Sequence, residues 1–315
     1  MQKLSVNAAP HIHSGASSKR IMLDVVIALL PALIVGACVL GIRSLLIALI
    51  SVAAAVLSEW IYCTVTKSRN TLKDGSALVT GLLLAMTLPH TVPYWVPAVG
   101  SAFAIIVVKL LCGGLGQNIF NPALAARAFL MFIAPAAMVR YAALGVDGVT
   151  AATPLHHMVM PALPEEAILD MFLGNTPGSI GEISALALLA GGVYLVVRKV
   201  ISPRIPVAYL GTVAVATLIF SKTGDPVSWM LYSLLSGGVM LGAIFMATDY
   251  STSPVTKWGQ VIYGIGFGVL TVVFRYFGLY PEGVTYAILI MNAFAWFIDR
   301  ITPPRRFGVK KGGKA

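Results

Sequence analysis

The chain has 315 residues, of which 58% are hydrophobic and 11% charged, with a formal net charge of +10 and three cysteines. A soluble domain carries about 25% charged residues. There is too little charge here to cover a water-exposed surface, which excludes a soluble globular protein, a disordered chain and a disulfide scaffold.

What remains is an all-α polytopic membrane protein. Residues 1–20 are polar and basic. They read as a cytoplasmic tail rather than a signal peptide, because the apolar run behind them is long enough to span and no A-x-A-like site follows. Apolar runs then predict about ten transmembrane helices, at 21–41, 44–65, 75–88, 94–111, 122–139, 183–200, 205–221, 229–248, 259–278 and 284–301. The third is shorter than a bilayer requires. It reads as a half-helix, a re-entrant segment or a helix continuing past Pro89. The fifth carries Arg127, which is expected to face protein or a cavity rather than lipid.

With the N-terminus inside, 17 of the 22 Lys and Arg fall on the cytoplasmic side, 4 fall on the other, and Arg127 stays within the membrane. The positive-inside rule therefore places both termini in the cytoplasm and the acidic segment 140–182 outside. The tail 302–315 holds Arg305, Arg306, Lys310, Lys311 and Lys314. It reads first as a topology anchor and second as a patch for membrane lipid. Basic residues in short segments between spans report topology, so no nucleic-acid partner is expected.

The outer loop separates a first half, 21–139, from a second, 183–301. Faint matches recur at a nearly constant offset: Met86-Thr87 with Met246-Ala247-Thr248, Trp95 with Trp258, Ala128-Phe129 with Ala293-Phe294. Five spans per half would make these inverted repeats.

Few residues offer chemistry of their own. Cys38, Cys63 and Cys112 form no C-x-x-C pair, so a metal or Fe–S site built by this chain alone is not expected. His156 and His157 are adjacent and read as loop residues. No Walker, G-x-G-x-x-G, G-x-S-x-G or H-E-x-x-H motif is present. In the outer loop, Asp147-Gly148-Val149-Thr150-Ala151-Ala152-Thr153 reads physically as a turn of small residues. Its lack of bulk also leaves the Thr153 hydroxyl open to a planar ligand or a modifying enzyme.

That heptapeptide, DGVTAAT, resembles the flavinylation motif D-x-x-[ST]-[GSA]-A-T of the Rnf and sodium-pumping NADH:quinone oxidoreductase families. Ala151 stands where Gly or Ser is usual. The segments 75–89, 116–130, 175–192 and 204–212 resemble, in the same order, the D subunit of the Rnf ion-translocating ferredoxin:NAD oxidoreductase. The B subunit of the quinone-reducing pump is its homologue, and the short N-terminal tail here is closer to the former.

The resemblance implies covalent FMN joined through its phosphate to Thr153. A dedicated FAD-dependent transferase would form the phosphodiester and release AMP, and Asp147 and Thr150 would serve in the motif. It also implies the other Rnf subunits as partners, and electron transfer coupled to Na⁺ or H⁺. A second, non-covalent flavin such as riboflavin is a further expectation. A tether fixes the flavin's distance without requiring affinity.

Other polar residues have two readings each. Arg127 would bind a flavin phosphate or a reduced isoalloxazine, or pair structurally; Asn121 lies beside it in the same span. The loop 175–182 would hold a phosphate on free N–H groups, or supply Ser179 or Gly181 near a helix N-cap. Asp24, Glu59, Asp74 and Asp249 would lie on a cation path, or cap helices and pair with nearby bases. A non-redox transporter or channel is the competing class, since fold alone does not separate the two.

The charge split yields a direct test. Cysteines introduced at Asp147 and Lys310 should react with an impermeant thiol reagent from opposite faces of sealed cells. Reaction of both from one face would overturn the topology.

Overall fold

The computed structural model describes residues 17–67, 71–141, 155, 163–164, 167–278 and 283–303. The motif residues Asp147, Thr150 and Thr153 lie outside them, as do His156, His157 and the basic tail from 304 onward. All regular structure among the described residues is helical, with no strand. In chain order the helices are α1 Ser18–Leu40, α2 Ile42–Val65, α3 Ser76–Met86, α4 Trp95–Leu110, α5 Pro122–Ile133, α6 Ala185–Val197, α7 Arg204–Ile219, α8 Pro226–Leu235, α9 Val239–Met246, α10 Lys257–Phe277 and α11 Val284–Ile301. Short helical turns at Leu72–Asp74, Pro135–Met138 and Ile168–Leu173 join them.

Among the described residues, α1, α2, α10 and α11 are long and apolar enough to cross a membrane by themselves. The remaining apolar helices are shorter, and α8 and α9 form one bent pair. Large side chains such as Leu49, Trp60, Phe132, Val207, Phe277 and Trp296 point outward. An apolar exterior of this kind is stable only against lipid.

Three predicted spans differ in detail. The third is the helix α3, with ten of its eleven residues buried, from Ser76 and Ala77 through Val79–Met86. At 1.5 Å per residue it is about 16 Å long, roughly half a bilayer core, and protein rather than lipid surrounds it. The fifth stops at Ile133, because Pro135 removes an N–H and forces Ala134 out of the helical region, at φ −131°, ψ 54°. The eighth is not one helix: α8 and α9 meet at a 62° bend. Gly237 and Gly238 occupy the left-handed region there, at φ 65° and 69°, a conformation that ends a right-handed helix.

Helices from the two halves pack antiparallel in pairs. Gly191 on α6 lies so close to α1 that a Cβ would collide with the Ala28 carbonyl oxygen. Nearer the N-terminal end of α1, Asp24 accepts hydrogen bonds from Tyr194 and Arg198. On the other pair, the N-terminus of α5 meets Asn292 on α11, and Leu124 and Arg127 share a cavity with Val284 and Thr285. An inverted duplication would produce this pairing.

The most extensive helix contact among the described residues joins α7 and α10. Gly264 and Gly268 are spaced as G-x-x-x-G, which lets backbones approach. A Cβ on Gly264 would sit 2.8 Å from the Ala208 Cβ, and one on Gly268 2.7 Å from the Thr212 Cβ. Between them Phe267 stacks on Tyr209 at 3.8 Å. Gly264→Val should therefore destabilise the protein by about 1–3 kcal/mol, whereas Gly211→Ala on α7, which meets nothing within 4 Å, should be neutral or stabilising by roughly 0.5–1 kcal/mol. Thermal unfolding of the detergent-solubilised protein checks both.

Candidate functional site

One end of the bundle carries the N-terminus of α1, the C-terminus of α11 and Lys73, Lys109, Arg198, Lys199, Arg204, Lys257 and Arg300. Two adjoining cavities open there, of about 80 and 580 Å³, and both are lined by Ile21, Met22, Leu115, Asn118, Asp249, Tyr250 and Ser251. They form one vestibule. Its inner wall is apolar, with Val25, Leu83, Leu195 and Phe245, and polar groups from Ser76, Thr80, Lys109, Asn121 and Thr248 converge on it. A few polar groups in an apolar concavity is the usual composition of a cofactor pocket.

Asn121 is held rigidly at this site. It is not inside a span, as the sequence suggested, but is the N-cap of α5: its Oδ1 accepts from the N–H of Ala123 at 3.0 Å and of Leu124 at 3.4 Å. Pro122 follows at the first helical position, where proline loses no hydrogen bond. The Asn121 Nδ2 donates to the Met246 carbonyl at 3.2 Å, closing the C-terminus of α9. Asn292 accepts from the Asn121 backbone N–H at 3.0 Å and donates to the Tyr263 hydroxyl at 2.7 Å and to the Ile288 carbonyl at 3.3 Å. Asn292 also lines the vestibule. Neither Asn292 nor Tyr263 stood out in the sequence, because the contacts that matter come from three different helices.

The four acids the sequence singled out all have partners. Asp24 pairs with Arg198 at 3.2 Å. Glu59 pairs with Lys109 at 2.9 Å, both fully buried. Asp74 accepts from the Ser76 hydroxyl at 3.0 Å. Asp249 accepts from Ser251 and Thr252 in the turn after α9. Crowding by protein pushes its carboxyl above the usual carboxylate range, against the opposing pull of those hydrogen bonds. Lys109 had counted only toward topology, since its ionic partner is 50 residues away.

Toward the other end of the bundle lies a smaller cavity, of about 10 Å³, lined by Thr87, Leu124, Arg127, Glu182, Gly237, Gly238, Leu241, Met246, Val284 and Thr285. Arg127 is 5% exposed, so it faces protein as an intramembrane cation should. Glu182, read only as part of the acidic loop, shares this cavity. The cavity sits at the α8–α9 break, where Arg275 donates to the carbonyls of Ser233 at 2.5 Å, Ser236 at 2.7 Å and Gly237 at 3.3 Å. A guanidinium thus takes carbonyls that a continuous helix would have satisfied.

The loop 175–182 docks against the end of α3. Ile180 N–H donates to the Leu88 carbonyl at 3.1 Å and Gly181 N–H to the Met86 carbonyl at 2.7 Å. A Cβ at Gly181 would lie 2.7 Å from the Met86 Cβ, so only glycine fits. Two N–H groups of the supposed phosphate loop are therefore engaged. The N-cap lies farther on, at Ser184, whose hydroxyl accepts from Ala187 N–H. Ser179 is fully buried in the loop, and its N–H donates to Glu182. Cys38 and Cys112 are exposed and Cys63 is buried; none of the three is in a disulfide. No cluster of three metal-ligating side chains occurs among the described residues.

Outward apolar faces, broken and half-length helices and buried charge define a polytopic membrane protein. The chain belongs to the NQR2, RnfD, RnfE family, which it matches over residues 5–308. It is 48% identical over 314 residues to the D subunit of the Na(+)-translocating ferredoxin:NAD(+) oxidoreductase complex of Acetobacterium woodii, covering 98% of this chain and 96% of that one. It is 42% identical to the D subunit of the proton-translocating ferredoxin:NAD(+) oxidoreductase complex of Clostridium ljungdahlii, covering 98% and 97%. The D subunit of the ion-translocating oxidoreductase complex of Escherichia coli is 34% identical, with 98% and 99% covered.

Arg275→Leu should strip three carbonyls of their donor at the α8–α9 break. Hydrogen bonds from charged groups contribute about 1.5–3 kcal/mol each, so the thermal midpoint of the solubilised protein should fall by several degrees. Arg275→Lys, which keeps the charge but not the fork, should recover part of the loss.

Proposed function

We propose that this chain is the D subunit of a bacterial ion-translocating ferredoxin:NAD oxidoreductase. It would carry FMN on Thr153 and pass electrons between the ferredoxin and NAD modules supplied by other subunits, coupled to movement of Na⁺ or H⁺. The observation that carries the reading is the motif DGVTAAT at Asp147–Thr153 in a chain 48% identical, over nearly its whole length, to a subunit named for that complex. The chain has no nucleotide-binding fold among the described residues, so NAD and ferredoxin would be handled by its partners.

The described residues flanking the motif support the same reading. Leu155, two positions beyond Thr153, is 4% exposed, and a Cβ on Gly237 would lie 2.5 Å from its side chain. Tyr141, before the motif, is 5% exposed. Leu155 thereby packs at the α8–α9 break, beside the cavity that holds Arg127 and Glu182. Arg127 would neutralise negative charge approaching from that side.

The vestibule fits a second, non-covalent flavin. Its volume and its mixture of apolar wall and fixed amide groups suit a planar heterocycle, and it would open to the cytoplasm under the charge rule. A flavin supplies one- or two-electron transfer when bound. Asn121 and Asn118 would hydrogen-bond its edge, and Leu83 and Phe245 would exclude water. The orientation of Asn121 is already set by the α5 N-terminus, so little ordering entropy would be lost on binding.

In the protein coexpressed with a flavin transferase, a peptide spanning 141–158 should carry the mass of FMN. Thr153→Val, nearly isosteric but without the nucleophilic hydroxyl, should abolish it, as fluorescence in a denaturing gel will report. Thr150→Val should leave Thr153 modified. Asp147→Ala should lower occupancy through poorer recognition. Denaturation of the wild type should in addition release free flavin from the vestibule. An active complex with an unmodified Thr153 peptide would overturn the flavin reading and favour a non-redox transporter.

A further inference from the structure

Electron transfer alone does not call for the buried ion pair of Glu59 and Lys109. Lys109 Nζ lies 3.0 and 2.9 Å from the two carboxylate oxygens of Glu59 and 2.6 Å from the Ser76 hydroxyl. The Thr71 hydroxyl donates to Glu59 Oε1. Glu59 is 0% exposed and Lys109 2%. The ammonium therefore sits among hard oxygens, two from a carboxylate and one from a hydroxyl, with a second hydroxyl behind them. Hard oxygen ligands are what small alkali and alkaline-earth cations select. Here the resident cation is monovalent and tethered.

The tether reaches the cage from a wide turn. Residues Ala104–Leu110 form a π-helical segment, with Leu111 N–H bonded to the Ile106 carbonyl at 3.0 Å and Gly114 N–H to the Lys109 carbonyl at 2.9 Å. Such turns recur at functional sites. Lys109 and Ser76 also line the vestibule, so one wall separates the cage from the space that a ligand would occupy.

We propose that the cage of Glu59, Ser76 and Thr71 is a monovalent-cation site in which Na⁺ and the Lys109 ammonium exchange, Lys109 swinging into the vestibule when Na⁺ enters. A buried carboxylate stripped of its partner is penalised by several kcal/mol, so Lys109 leaves only as another cation arrives. A monovalent ion keeps the charge at Glu59 unchanged, whereas a divalent ion leaves one positive charge uncompensated. The exchange adds one positive charge to the vestibule. Negative charge there and Na⁺ in the cage must then favour each other reciprocally. That coupling rests on the flavin reading above; the exchange itself does not.

The test uses the purified complex and an amine-reactive reagent, with labelling of Lys109 read by peptide mass spectrometry. NaCl is compared with choline chloride at equal ionic strength. Labelling of Lys109 in the wild type should rise several-fold and saturably with Na⁺, while the exposed Lys73 and Lys257 react at constant rates. Glu59→Gln should label readily in either salt. Lys109→Met should gain about one bound ²²Na⁺ per subunit, and the Glu59→Gln/Lys109→Met double variant should lose it. Wild-type labelling that is the same in both salts, or that follows pH but not Na⁺, overturns the proposal whether or not the variants fold. The visible absorbance of the same sample scores the flavin reading separately.

Discussion

Every backbone N–H and carbonyl at membrane depth must find a partner inside the protein, because lipid offers none. This chain interrupts its helices at depth and so depends on how those interruptions are closed. The C-terminus of α3 is closed by N–H groups of the loop 175–182. The C-terminus of α9 is closed by the Asn121 amide. The α8–α9 break is closed by the Arg275 guanidinium. The first two closures join segments from different parts of the chain, and the third is made within the second half, so the irregular backbone is sealed only once these segments have packed.

That dependence explains where the polar residues are. Asn121 caps its own helix with one end of its amide and seals a second helix with the other, while Asn292 and Tyr263 fix its position from two more. A network of this kind is stabilising only when every member is satisfied. The close glycine contacts have the same logic. Gly181 admits the loop that seals α3, and Gly191 lets α6 approach α1 closely enough for Arg198 and Tyr194 to reach Asp24.

Much of this was legible in the sequence. Apolar runs placed the helices, and the short third segment was visible as such. The charge of Arg127 marked it as protein-facing. The breaks were less legible although their residues were in view: Ser236-Gly237-Gly238 and Ala134-Pro135 are ordinary breakers, but apolar residues on both sides make each run read as continuous. Asn121-Pro122 is an N-cap signature that reading by hydropathy absorbed into a span. Partners such as Lys109 for Glu59 and Arg198 for Asp24 were not legible, since sequence distance says nothing about which helices pack. The vestibule was invisible for the same reason, being assembled from the ends of helices throughout the chain.

The two candidate sites occupy opposite ends of the bundle and are built on unlike principles. Near the α8–α9 break, a buried Arg127 and Glu182 share a small cavity, and Leu155, just beyond the motif, packs beside it. At the other end, a roomier vestibule has a preformed cap network and a buried ion pair in its wall. A tethered group needs little pocket, because its linkage already fixes its distance. A group held without a bond needs volume, apolar walls and oriented donors. The larger cavity puts the demand for precise side-chain positioning on the vestibule, where Asn121 and Asn292 meet it.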